Sequence, residues 1–104
     1  MTGMEALFAP PPGHWGLRGD PLLWDALRRL FDGMAMPDNL DALNRALDTG
    51  FAELTGTALA DAPDTLPVSW TKGTQGGMSN GIVSPPFWRD VGFPMIRDRW
   101  AVRQ

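Results

Sequence analysis

Asp20-Pro21-Leu22-Leu23-Trp24-Asp25-Ala26-Leu27-Arg28-Arg29-Leu30-Phe31-Asp32-Gly33 is the stretch whose reading decides the fold. An aspartate before a proline marks a helix start. The carboxylate can accept the free N–H groups of the first turn, and proline has no N–H to leave unpaired there. Leu23, Leu27, Leu30 and Phe31 fall at i, i+4, i+7 and i+8, one face of a helix, with Trp24 beside them. Asp25, Arg28, Arg29 and Asp32 take the opposite face, and Gly33 suits the left-handed residue that ends a helix. The spacing predicts a helix over about 21–32 that forms the main wall of the core. Arg18-Gly19-Asp20 also spells a tripeptide of integrin ligands, but a capping role accounts for Asp20 without it.

Downstream, Asp38 or Asn39 can cap a second helix, with Asp41 in the first turn, where the helix dipole favours negative charge. Leu40, Leu43, Leu47, Phe51 and Leu54 recur at three- and four-residue steps, giving a helix over about 39–54 that either stops at Thr49, before Gly50, or runs on toward Gly56. Two amphipathic helices on a short link suggest a helical hairpin. Leu66-Pro67-Val68-Ser69-Trp70-Thr71 then alternates apolar and polar residues, the pattern of a strand over about 66–72, with Pro67 favouring an edge. Ile82-Val83 offers a returning strand at about 81–83. Two strands alone are marginal, so they need helices against one face, and Leu7-Phe8 is a candidate third strand. Ser84-Pro85-Pro86 opens a helix over about 85–91. Gly92 interrupts it, and Phe93-Pro94 begins a last helix over about 94–102, with Arg97, Asp98, Arg99 and Arg103 on its wet side.

Upstream, residues 1–19 carry Pro10-Pro11-Pro12, which forbids helix locally, and residues 73–81 are rich in glycine; both segments are expected to be largely irregular. A chain of 104 residues fits one small domain, and its apolar and charged fractions, 43% and 20%, are those of a globular protein rather than a disordered one. Twelve glycines and ten prolines call for short elements. The expected fold is therefore α+β: three to four short helices packed on a small antiparallel sheet of two or three strands.

Composition also prunes the functional classes. A net charge of −3 lacks the basic footprint of a general nucleic-acid binder. With no cysteine, disulfides and thiolate metal sites are excluded, and His14 alone cannot build a usual zinc site. No run of apolar residues is long enough for a membrane span, and the N-terminus lacks the positive region of a signal peptide, so a cytoplasmic protein is expected. Eight arginines against one lysine suggest a GC-rich bacterial genome. The loop Gly73 to Gly81 has neither glycine order of the known phosphate loops, and a hairpin loop or a partner-contacting loop explains it better. No serine stands out as an activated nucleophile, and most aspartates fall at helix caps or wet faces. Cofactors, metals and a catalytic set are accordingly not expected.

Residues 38–64 hold six acids against Arg45 alone, a local charge of −5, whereas residues 85–104 are net +2. Such an acidic surface can steer a basic partner, although a solvated helix face explains it equally. Trp15, Trp24, Trp70, Trp88 and Trp100 suit both a small core and an interface; Trp24 and Trp70 fall on predicted apolar faces. These features favour a non-enzymatic protein-binding module, specifically an immunity protein or inhibitor that neutralises a bacterial toxin. Asp38, Asp41, Asp48 and Glu53 would steer a basic toxin domain, and Met78, Asn80 and Trp88 would fill or cap its active site. The alternatives are a structural accessory subunit of a bacterial or phage complex, and a small enzyme using carboxylates or His14.

Overall fold

Helix α1, Asp20–Leu30, buries Leu23, Trp24, Ala26 and Leu27 completely and stands at the centre of the molecule. The computed structural model describes residues 3–11, 17–70 and 79–104. After α1 come α2 (Leu40–Thr55), a 3-10 turn at Leu59–Asp61, strands β1 (Leu66–Trp70) and β2 (Ser79–Val83), and a C-terminal helical run. That run comprises α3 (Pro85–Phe87), a π turn (Trp88–Gly92) and α4 (Phe93–Val102). The expected α+β architecture is what the chain adopts: helices packed on a two-stranded antiparallel sheet.

Gly33 takes the left-handed conformation, φ 83°, just beyond α1, whose last cap is Phe31 donating to Leu27 O at 3.1 Å. Asn39, not Asp38, caps α2, its Oδ1 accepting Ala42 N–H at 2.8 Å, and left-handed Gly56 closes the helix. Gly50 does not stop α2. A Cβ there would lie 2.8 Å from Phe31 Cζ, so the glycine makes room for the Phe31 ring inside the helix–helix contact.

In the sheet, Leu66 pairs with Val83, Val68 with Gly81 and Trp70 with Ser79. Leu66, Val68 and Val83 face the core, while Pro67, Ser69 and Ile82 face outward, as the period of two requires. β1 ends at Trp70 and β2 begins at Ser79, earlier than expected; the rest of the glycine-rich loop lies outside the described residues, as do His14 and Trp15.

Two expectations fail. Leu7 and Phe8 form no third strand but belong to a 3-10 helix, Met4–Phe8. Its backbone groups find partners other than a strand: Met4 N–H donates to Met34 O at 2.9 Å, and Arg99 Nη1 donates to Leu7 O at 2.9 Å. Phe8 stacks on Phe31, ring centroids 5.2 Å apart. Gly92 is also no helix break. Pro94 has no N–H to offer, and the backbone widens into a π turn in which Phe93 N–H reaches Trp88 O. A Cβ at Gly92 would sit 2.7 Å from Trp88 Cε3, so the glycine lets the indole lie against the widened turn.

The core is aromatic at its centre. Trp24 and Trp88 meet with centroids 4.8 Å apart, Trp88 meets Phe93 edge-on at 5.9 Å, and Phe93 meets Phe51 at 6.2 Å.

Candidate functional site

Asp20 is the first structure-changing correction. It does not cap its own helix: the N-cap is Gly19, which makes no side-chain cap bond. The Asp20 carboxylate is fully buried and instead accepts N–H groups from Leu17, Ser84 and the Trp88 indole. An adhesive Arg-Gly-Asp motif needs an accessible aspartate, and this one has no exposed surface. Trp88 is likewise fully buried, so it is a core residue and does not fill a partner's active site in this conformation.

The arginines of the C-terminal run are not simply wet. Arg97 Nε donates to Asn44 Oδ1 at 2.8 Å, Arg89 Nη2 to Leu59 O at 3.2 Å, and Arg99 to the carbonyls of Leu7 and Ala9. The Arg99 guanidinium also lies 5.8 Å from the centroid of Trp24. Burial, with Arg103 close by, lowers its pKa from the ordinary arginine value. Half-buried Trp100 donates from Nε1 to Pro37 O at 2.9 Å.

The acids of α2 are arranged differently. Asp41, Arg45, Asp48, Thr49 and Glu53 are all exposed along it, and exposed Asp38 stands just before the Asn39 cap. Asp41 and Asp48, seven residues apart, share a side of α2, whereas Glu53 stands about a third of a turn round the helix and borders the groove over Gly50. Asp38, Asp41 and Asp48 form no ion pair with any described residue. The ion pairs of α1 are separate: Asp25 meets Arg28 and Arg29, each at 2.8 Å. Burial raises the Asp25 carboxyl pKa, but hydrogen bonds and charge from Arg29 and Arg28 outweigh this and leave it below the usual value. Of the remaining predicted contacts, Met78 lies outside the described residues, and Asn80 is placed on β2 opposite Ser69.

One hollow borders α2, and a second lies next to it at Met34. A groove of about 350 Å3 runs over Phe31 and Gly50, between Leu30 and Met34 on one side and Arg45 and Glu53 on the other. A second hollow, of about 460 Å3, is lined by Gly3, Glu5, Gly33, Met34, Ala35 and Met36. Met34, 47% exposed, belongs to both. A third hollow of about 500 Å3 lies on the outward side of the hairpin, beside Arg18, Pro67 and Ile82.

The chain matches no protein-family model, no curated protein and no solved structure.

Sequence reasoning passed over Glu5 and Met34. The signal was present: Glu5 is the one charge inside the otherwise apolar run Met4 to Ala9. Among the described residues, no group of three or more His, Asp or Glu is placed to hold a metal ion, and no helix is long and apolar enough to cross a membrane.

Proposed function

We propose that this chain is a non-enzymatic protein-binding module that works by occupying a partner, and that the partner is a bacterial toxin domain with a basic surface, which the chain neutralises as an immunity protein does. One observation carries the reading. Arg89, Arg97 and Arg99 are committed to acceptors within the fold, whereas Asp38, Asp41 and Asp48 stand on an exposed surface where no described residue pairs with them. In this reading the three acids form an acidic strip, with Arg45 beside it, on and just before a 16-residue helix capped at both ends. Such a strip attracts a positive surface from a distance and raises the encounter rate at low salt.

The test begins with purification of whatever binds the tagged full chain in its native host, followed by an assay of that partner's activity with and without the chain. One basic protein recovered in equal amount, and inhibited by the chain, supports the reading. Asp38→Asn, Asp41→Asn, Asp48→Asn and Glu53→Gln together should then slow association about tenfold or more and flatten its salt dependence. An unchanged association rate removes the steering role. Recovery of a set of structural proteins, with no activity inhibited, replaces the inhibitor by an accessory subunit.

A further inference from the structure

The Glu5 carboxylate is used at only one of its two oxygens. Oε1 accepts Gly33 N–H at 3.1 Å, while Oε2 is buried without a hydrogen-bond partner among the described residues, in a residue only 8% exposed. A buried carboxylate oxygen without a donor is unfavourable, so its retention calls for an explanation. Glu5 lines the 460 Å3 hollow beside Gly3, and acceptors converge there. A Cβ built on Gly3 would lie 2.6 and 2.8 Å from the two Glu5 oxygens and 2.7 Å from Met34 O. The lining also includes Met34 and Met36, and none of the described lining residues is basic.

A carboxylate, converging oxygen acceptors and two methionines in the lining together describe a receptor for a positively charged donor on an aliphatic stem. The stem packs on methionine, and the head group supplies the N–H donors that Oε2 lacks. A hard metal ion fits less well, because it takes six or more oxygen ligands and the hollow offers a single carboxylate. We infer that the hollow beside Glu5 receives one lysine or arginine side chain of the protein partner, with Glu5 Oε2 as its counter-charge. Met34 also borders the groove over Phe31 and Gly50, so an apolar residue neighbouring that cation would lie in the groove. This inference rests on the reading of the chain as a protein-binding module. It adds an anchoring contact that is distinct from the steering strip.

The probes are Nα-acetyl-arginine amide and Nα-acetyl-lysine amide, with uncharged Nα-acetyl-citrulline amide as control, titrated into the 15N-labelled full chain. Expected is saturable binding of at least one cationic probe in the millimolar range, with shifts centred on the amides of Gly33, Met34, Ala35 and Met36. Citrulline should bind at least tenfold more weakly. Glu5→Gln keeps an acceptor for Gly33 N–H and should reduce binding of the cationic probe at least tenfold. Gly3→Ala, whose new methyl would crowd the acceptors, should do the same. Neutralising Asp38, Asp41 and Asp48 should leave probe binding within about twofold. Failure of both cationic probes to saturate, or equal binding of citrulline, overturns the inference. If an isolated partner dissociates from Glu5→Gln no faster than from the wild type, the anchor is overturned while the protein-binding reading stands. Probe binding at Glu5 with no protein partner found would support the cation site and overturn the partner as its source.

Discussion

The indole Nε1 of Trp88 donates to Asp20 Oδ1 at 2.7 Å, a bond between residues 68 apart in sequence. The same carboxylate accepts Ser84 N–H at 3.1 Å and Leu17 N–H. The start of α1, the end of the hairpin and the π turn are therefore tied to one buried group. Around it Gly19 N–H donates to Ile82 O at 2.8 Å, which brings the helix start against β2.

Trp88→Phe removes one of these donors, and Trp24→Phe makes a matched comparison, because the Trp24 indole N–H is buried with no hydrogen-bond partner among the described residues. Urea unfolding should show Trp88→Phe less stable than Trp24→Phe by about 1–2 kcal/mol, the usual net worth of a buried hydrogen bond. Asp20→Ala, which leaves several donors without an acceptor, should cost about 3 kcal/mol or more. A double-mutant cycle between Asp20→Ala and Trp88→Phe should show coupling of about 1–2 kcal/mol.

Gly19 and Gly50 should respond differently to alanine. At Gly19 the new Cβ would meet backbone atoms of Ile82 at 2.6–2.8 Å, which cannot rotate away, so Gly19→Ala should destabilise by about 2–3 kcal/mol. At Gly50 the obstacle is the Phe31 ring, opposed by the gain of roughly 1 kcal/mol that alanine brings to a helix interior. Gly50→Ala should therefore be neutral to destabilising by about 2 kcal/mol, and it should become less costly, or stabilising, in a Phe31→Leu background. Thermal unfolding of the four variants checks both.

Arg99→Met keeps an aliphatic stem but removes the donors to Leu7 O and Ala9 O. Hydrogen exchange should accelerate at least tenfold in residues 4–9, with the amides of α2 little changed. Equal acceleration throughout would show instead that Arg99 supports the whole fold.

Asp25 sets a small acid-side dependence of stability. Its carboxyl pKa is lowered in the fold by Arg29 and Arg28 against the opposing effect of burial. The stabilisation is therefore complete above the unfolded value, near pH 4, and is lost as pH falls through the lower folded value. The side chain is 37% exposed, so solvent screening limits the effect to less than about 1 kcal/mol. Unfolding midpoints of wild type and Asp25→Asn should differ slightly at pH 7 and converge as pH falls through the lowered folded value.

The elements themselves were legible in the sequence because their signals are local. Leucine spacing marked α1 and α2, Gly33 marked a left-handed turn, and alternation marked β1. The exposure of Asp41 and Asp48 on one side of α2 was legible as well, since seven residues are close to two turns. Trp88 was misassigned because an indole suits a core and an interface equally, and its burial depends on Asp20 and Trp24, which approach only in three dimensions.

Local spacing and chain stereochemistry, readable from the residues alone, determined which segments are helical, which are extended, and that both kinds pack together. Tertiary structure alone decided what the polar groups do. It turned Asp20 from an apparent cap into a shared acceptor, directed Arg97 and Arg99 to internal partners, and left Glu5 Oε2 buried beside a hollow. The physical reason is that burying apolar surface requires only the right periodicity, whereas satisfying a buried polar atom requires a particular partner. That partner can come from any part of the chain.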